Sequence, residues 1–390
     1  MKKMLLLINS LFFAFSFADE FVEASTTIGG YGELHWDMEN ENMDFHRFIV
    51  FLNHNFDDKW ALKSEIELEH NMAGDGYGGY IALEQAYLNY TADNWDARAG
   101  VVLAPVGIIN ETHEPPTFLS VERPDYAKYI IPTTWFGNGM QFNYNYGDFR
   151  FGVTLMEDVI GGSLSVDGTS VNGGALKDDK YAFRSGRGKG DDSFATDLTK
   201  IFGFSWTGME GLKVAGSMTM NEMPMFHDAD NDWSSKGYEY GDDLISATVG
   251  LEMTEINVQY NKNNIVAVFE TATGSFDYAD LNAWLTEEGV ANSFDDKDFK
   301  GMRLDFGYNI GSLLGDDCDL TLWTRQTSWD SNTNTNASEK VGEVSRSMFG
   351  VTWKPKNNIS LKMNMGTTDT DYDGGSSSSD MMQVGVGYMF

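Results

Sequence analysis

Asp380-Met-Met-Gln-Val-Gly-Val-Gly-Tyr-Met-Phe390 is the stretch on which the fold class turns. In steps of two, Met382, Val384, Val386, Tyr388 and Phe390 are apolar, while Met381, Gln383, Gly385, Gly387 and Met389 form a small, polar or flexible set. Successive Cβ atoms of a strand point to opposite sides, so period two with one greasy face means a strand; a helix would repeat near 3.6. At the edge of a soluble sandwich, the other home for such a segment, an aromatic strand would offer unpaired backbone to aggregation. Pairing it with the first strand of a closed barrel removes that edge.

The same alternation runs back through the chain. Ile28, Gly30, Gly32, Leu34 and Trp36 share a face, and Phe48, Val50, Leu52 and Phe56 alternate with Arg47, Asn53 and Asn55. Trp60, Leu62, Ile66 and Leu68 interleave with Lys63, Glu65, Glu67 and Glu69. Three carboxylates and an amine on one face cannot meet lipid, so that face looks into a wet lumen. Further strands are predicted near 79–91, 94–103, 138–146, 149–157, 199–207, 211–222, 243–260, 265–274, 300–311, 318–328, 343–354 and 359–369, which with the terminal strand makes about 16. Short turns alternate with longer polar stretches near 38–43, 72–78, 104–137, 158–198, 223–242, 275–299, 329–342 and 370–379. The prediction is an all-β transmembrane antiparallel β-barrel whose size leaves an aqueous channel.

Composition agrees. Met1-Lys-Lys-Met-Leu-Leu-Leu-Ile-Asn-Ser-Leu-Phe-Phe-Ala-Phe-Ser-Phe-Ala18 has the basic start, short apolar run and small-residue end of a secretory signal peptide, leaving 19–390 as one barrel domain. Removing Lys2 and Lys3 changes the charge from 27 − 59 = −32 to 25 − 59 = −34. That excess of acid excludes nucleic acid as a partner and fits outer loops that hold divalent cations among lipopolysaccharide molecules. No apolar run is long enough for a membrane-spanning helix, and the lone Cys318 forms no internal disulfide.

One segment stands apart. Ala104-Pro-Val-Gly-Ile-Ile-Asn-Glu-Thr-His-Glu-Pro-Pro-Thr-Phe-Leu-Ser-Val-Glu-Arg-Pro-Asp125, continuing to Ile130-Ile-Pro-Thr-Thr-Trp-Phe-Gly-Asn-Gly139, holds five of the seven prolines, which stiffens it. It also carries Ile108, Ile109, Phe118, Leu119, Tyr129, Ile130, Ile131, Trp135 and Phe136, which an exposed loop would not keep. Packed on the inner wall, this third loop would bury them and present Glu111, Glu114, Glu122 and Asp125 to a channel. The alternative is a loop folded over the outer rim as a latch between subunits.

The Val-Gly-x-x-Asn-Glu-Thr-His-Glu-Pro-Pro-Thr-Phe and Ile-Ile-Pro-Thr-Thr-Trp runs, with Leu83-Glu-Gln-Ala-Tyr-Leu88 and Ala97-Arg-Ala-Gly-Val101 before them, resemble bacterial porins related to the phosphate-selective porin family. The resemblance covers roughly residues 45–140. It implies a 16-stranded homotrimeric pore in outer-membrane lipid, with the third loop folded into the lumen and small hydrophilic solutes as cargo. The terminal aromatic strand, with Tyr388 and Phe390, likewise resembles the assembly signal of outer-membrane barrels. The family's lysine-rich constriction is not matched, since the loop offers Lys128 alone.

Six arginines, Arg47, Arg98, Arg150, Arg303, Arg325 and Arg346, fall inside predicted strands, and most should face the lumen, since a charge on the lipid face is costly near the midplane. There they either pair with Glu65, Glu67 and Glu84 or meet solute. Arg47 and Arg98 are the candidates to oppose Glu111 and Glu114 across a constriction. No cofactor motif is present beyond one metal spacing, Asp369-Thr-Asp-Tyr-Asp-Gly-Gly-Ser-Ser-Ser-Ser-Asp380, in which Asp369, Asp371, Asp373 and Asp380 match a Ca2+ loop. A solvated Ser/Asp/Gly loop is its plainer reading. Met220, Met223 and Met225 beside His227 read as rim residues rather than a soft-metal site.

Two functions of different class follow from a barrel: a passive diffusion porin, or an outer-membrane enzyme of protease or lipase type. An adhesin acting through long loops is a third. With no nucleophile motif and no His-carboxylate constellation at catalytic spacing, the sequence points to the porin and not to an enzyme.

Overall fold

The computed structural model describes residues 24–74, 76–167, 170–175, 183–190, 193–227, 244–291, 293–314, 319–331, 343–372 and 375–390. Residues 1–18, predicted as a leader, Cys318 and Asp373 lie outside the described residues. The strands are β1 (Ser25–Asp37), β2 (Asn42–Asn55), β3 (Trp60–Glu69), β4 (Ile81–Thr91), β5 (Trp95–Leu103), β6 (Phe136–Tyr146) and β7 (Phe149–Met156). A hairpin, β8 (Gly162–Asp167) and β9 (Ser170–Ala175), interrupts the order. The wall resumes with β10 (Thr199–Met209), β11 (Leu212–His227), β12 (Leu244–Lys262), β13 (Ile265–Asp277), β14 (Lys297–Asn309) and β15 (Asp319–Asp330). It ends with β16 (Val344–Lys356), β17 (Ile359–Tyr372) and β18 (Gly375–Met389).

Eighteen strands less the two of the hairpin give a wall of sixteen. Each wall strand is antiparallel to its neighbours; β7 passes the ladder to β10, and β1 pairs with both β2 and β18, so the sheet closes. Leu34 stands opposite Val386 and Trp36 opposite Val384 at that seam.

Which face meets lipid can be read along β14. Phe299, Gly301, Arg303, Asp305 and Gly307 are covered, whereas Met302, Leu304, Phe306 and Tyr308 are exposed. Charge inside and apolar outside inverts the pattern of a soluble protein and matches a lipid-facing wall with a polar lumen. At the end bearing the short turns, Trp60, Tyr90, Trp95 and Phe142 follow one another at ring separations of 4.8, 5.1 and 5.6 Å. Such an aromatic band suits the membrane–water boundary, where an amphipathic ring has one apolar and one wet side.

Three stretches predicted as loops are ordered otherwise. Residues 158–198 contain the β8–β9 hairpin, whose first strand lies parallel to the end of β11. Residues 275–299 contain a helix, Ala279–Glu287, which buries Leu281 and Leu285. Residues 370–379 are not a long loop: β17 and β18 stay paired up to Tyr372 opposite Gly375. Backbone bonds hold a ladder whatever its side chains, so Ser, Thr and Asp extend strands beyond the membrane, where both faces can be wet.

Candidate functional site: the third loop and the lumenal wall

The loop after β5 leaves the wall with a sharp turn at Gly107, whose φ of +68° is left-handed. A Cβ there would come within 2.8 Å of Glu270 Oε1 and of Ile131 Cδ1, so glycine suits both the conformation and the approach. Beyond the turn, the Ile108 N–H donates to Glu270 Oε1 at 2.8 Å. Asn110 then ties the two ends of the loop together: its Nδ2 donates to the carbonyls of Ala104 and Trp135, and its Oδ1 accepts the Trp135 N–H.

The anchors on the wall are side chains of its covered face. Lys362 Nζ on β17 donates to the carbonyls of Pro115 at 2.6 Å and Ser120 at 2.8 Å, and sits 3.8 Å from the Phe118 ring centre. Asn364 Oδ1 accepts the Val121 N–H, and Thr352 Oγ1 donates to the Leu119 carbonyl. Arg325 on β15 holds Asp305 by two bonds, 2.7 and 2.8 Å, and reaches Ser120 Oγ with its remaining nitrogen at 2.6 Å. Arg346 pairs with Asp125 of the loop. Glycines supply the room: a Cβ on Gly387 would strike Pro115, one on Gly385 would strike Val121, and one on Gly301 would strike Ile130 and Tyr126. The small positions of the terminal strand are thus the floor on which the loop rests.

The loop's apolar residues are buried as well. Tyr126, Ile130, Ile131 and Trp135 join a cluster with Val249, Leu251, Met253, Ala272 and Phe299 of the wall. A second loop bears on this one, with Arg187 Nη1 donating to the carbonyls of Pro132 and Thr133.

His113 is the polar pivot beneath the loop. Its Nδ1 lies 3.0 Å from the Asn110 carbonyl and its Nε2 lies 3.2 Å from Glu65 Oε1, with Glu84 at 3.8 Å. Both ring nitrogens therefore face acceptors, an arrangement that only the doubly protonated ring satisfies. Burial pushes the imidazole down, but the hydrogen bond to Glu65 and the two nearby carboxylate charges prevail, and its pKa lies above the ordinary value.

What the loop leaves open is a cavity of about 480 Å³. Its loop side is formed by Pro105, Gly107, Ile108, Glu111 and Thr112. Its wall side comes from β4–β7 and β10–β12, with the ionisable groups Arg98, Arg150, Lys213 and Glu255 among Gln85, Asn143, Asn257 and Gln259. Arg150 is held by Asp96 at 2.6 Å, with Arg98 at 3.5 Å from the same carboxylate group. Charged, amide and hydroxyl side chains make up about half of the lining, beside Leu103, Pro105, Ile108, Phe204 and Ala215.

The predicted site residues divide between these two regions. Glu111 and Arg98 both line the cavity. Arg47 does not: it is buried, with Nε at 2.7 Å from Glu33 and Nη1 at 3.1 Å from Glu67. Glu65 and Glu67 are buried with it, bonded to His113, Tyr31 and Tyr80, so none of the three lines that cavity. Glu114 sits half-buried ahead of the short turn Pro115–Thr117, where its carbonyl accepts from Thr117. Glu122 and Asp125 are paired with His35 and Arg346. Of the six strand arginines, Arg303 also pairs inside, with Glu270 at 3.1 Å; only Arg98 and Arg150 face the cavity. Arg150 and Lys213 join the site because they line the same cavity as the loop residues, a relation that alternation along one strand does not encode.

The Ca2+ spacing is not gathered into a loop. Asp369 is paired with Ser378, Asp371 with Ser376 and Asp380 with Thr367 along the β17–β18 ladder. Among the described residues, the groups whose donor atoms converge are His35–His46–Glu122, Asp44–His46–His70 and Glu65–Glu84–His113. Strand pairing lays the acidic residues out in a line where an ion would need them wrapped.

No protein-family model matches the chain. An uncharacterized protein of Aquifex aeolicus is 28% identical over 353 residues, covering 87% of this chain and 75% of that protein. Solved structures share the fold at low identity. The outer membrane channel DcaP of Acinetobacter baumannii gives a TM-score of 0.57 at 14% identity, covering 96% of this chain and 99% of that one. An anion-selective porin from Comamonas acidovorans gives 0.57 at 10%, covering 94% and 100%. OmpT of Vibrio cholerae, in a trimer form, gives 0.55 at 11%, covering 94% and 99%. The fold is that of the outer-membrane porin barrels.

Proposed function

We propose that this chain is a non-enzymatic diffusion channel of the bacterial outer membrane, working as a homotrimer and passing ions and small hydrophilic solutes. The observation that carries this reading is the charged cavity: Glu111, on the proline-stiffened loop, shares it with Arg98, Arg150 and Lys213 of the wall. Fixed charges of opposite sign across a narrow space orient dipolar solutes and act through a lower effective dielectric than bulk water. The anchoring just described supports a loop that holds its place while solute passes, so size and charge do the selecting.

Three basic and two acidic side chains line the cavity, so selectivity by sign should be set locally. Lys128, the one lysine of the third loop, is not among them, which leaves the resemblance to phosphate-selective pores without its lysine cluster. Trimer formation is supported by the trimeric form of a neighbour of the same fold.

Single-channel recording in planar bilayers tests the reading. Steady, ohmic conductance in steps of three is expected, from protein that migrates as a heat-modifiable trimer. A folded barrel that conducts nothing, or that hydrolyses peptide or phospholipid, would overturn it.

A further inference from the structure

Three of the six histidines meet at the outer ends of β1, β2 and β3. His46 stacks on His35 at 4.8 Å between ring centres and meets His70 edge-on at 5.2 Å. Asp44 stands two residues before His46, on the same face of β2. Its Oδ2 lies 2.9 Å from His46 Nδ1 and 2.8 Å from His70 Nδ1. The backbone fixes the third member: the His70 N–H donates to the His46 carbonyl at 3.1 Å, and His70 takes a left-handed φ of +53° that turns the chain back over β2. None of these residues lines the cavity proposed as the pore.

We propose that Asp44 Oδ2, His46 Nδ1 and His70 Nδ1 form a binding site for a divalent transition-metal ion of the Zn2+ or Ni2+ class at the outer mouth of the barrel. Two imidazoles and one carboxylate are the donor set of borderline cations; Ca2+ and Mg2+ require oxygen throughout. The donor atoms converge within 4.8 Å. Ligands at zinc bond lengths stand roughly 3.3–3.5 Å apart in a tetrahedron, so small side-chain rotations open the present contacts far enough. In the metal-free state both Nδ1 atoms face a single carboxylate oxygen as N–H donors. Metal binding exchanges those two hydrogen bonds for two N–metal bonds, and each Nδ1 proton moves to Nε2, or to solvent from a cationic ring.

The surroundings favour a ligand role over simple wall pairing. The side chains of Asp44, His46 and His70 are 28%, 21% and 38% exposed, so a fourth position is open to water. His35 is a positioning residue: its two nitrogens are taken by Glu33 at 3.1 Å and Glu122 at 2.8 Å, and its ring backs His46. Glu122 of the third loop holds His35, and its carboxylate comes within 4.8 Å of a His46 ring nitrogen, so the loop adds negative charge beside the ligand set.

Calorimetric titration of ZnCl2, and separately NiCl2, into the chelator-stripped, folded full chain in detergent tests this. One ion per chain at micromolar affinity or tighter is expected, with no competition from CaCl2. His70→Asn should weaken binding at least about tenfold while keeping the left-handed turn, which Asn tolerates. His46→Gln with His70→Asn should abolish it, and His54→Asn, at the short-turn end, should change nothing. On the unmodified chain, Zn2+ should protect His46 and His70, but not His54, from diethyl pyrocarbonate. No saturable binding to the folded barrel, unchanged affinity in the double variant, or equal modification of all three histidines with and without Zn2+ would each overturn the site.

Discussion

Gly30 and Phe390 exchange both backbone hydrogen bonds across the barrel seam. The Gly30 N–H donates to the Phe390 carbonyl at 3.0 Å and the Phe390 N–H to the Gly30 carbonyl at 2.9 Å. Mutual exchange is the hydrogen-bonded type of antiparallel pair, here joining segments at opposite ends of the described chain. A Cβ on Gly30 would lie 2.1 Å from the Ile49 carbonyl oxygen and 2.9 Å from the Phe390 ring, so no larger residue fits without moving the strand. The Phe390 ring stacks on Phe48 at 6.0 Å and keeps 58% of its surface on the lipid side.

Phe390→Asp should therefore impair assembly rather than transport. It places a carboxylate on the lipid-facing side of the seam and removes the stack on Phe48. Several-fold less heat-modifiable barrel in outer-membrane fractions is the expected outcome, with normal conductance in the molecules that do fold. Normal levels of the variant would count against the seam as the point of closure.

Selectivity should follow the cavity and not the barrel's total charge. Under a salt gradient, Glu111→Gln should move the reversal potential toward anion preference, and Arg98→Gln with Arg150→Gln should move it toward cations. Arg47→Gln should leave the sign alone, because Arg47 is locked between Glu33 and Glu67 beneath the loop. An Arg47 variant that shifts selectivity as much as the Arg98 and Arg150 pair would relocate the constriction.

Arg325 and Asp305 test the anchoring of the loop. Removing one member of a buried ion pair strands the other charge at a cost of about 3–5 kcal/mol, whereas replacing both by apolar residues can be nearly neutral. Arg325→Met, which also releases Ser120, should lower thermal stability and speed proteolysis within 104–135. Adding Asp305→Leu should recover most of the thermal loss. Equal stability of the single and double variants would show that the pair is not the anchor.

Loop docking should weaken as the medium becomes alkaline. His113 is charged against Glu65, with its pKa raised in the folded state. A raised pKa gives stability that is complete below the unfolded value of about 6.5 and is lost as pH climbs through the higher folded value. The stability advantage of the natural chain over His113→Gln, measured by thermal unfolding from about pH 6 to about pH 9, should therefore shrink as pH rises. A gap that stays constant or widens would show that the ring is held neutral.

The sequence by itself determined the barrel. Met302, Leu304, Phe306 and Tyr308 outside against Arg303 and Asp305 inside is a local period-two signal, and a strand has only two faces on which to put its residues. The same logic read the terminal strand, and the density of proline and apolar residues marked 104–137 as a segment that packs. Alternation also ended strands too early: the Ser- and Asp-rich β17–β18 tip carries no apolar face, so only its backbone ladder reveals it. What tertiary structure alone decided is which lumenal charges meet solute. Arg47, Arg98 and Arg325 look alike along their strands, yet Arg325 reaches Ser120 and Lys362 reaches Pro115 across more than 200 residues, while Arg98 is left facing the cavity. Alternation tells a side chain to point inward; what it finds there depends on which wall residues the third loop packs against, a long-range arrangement that no local spacing records.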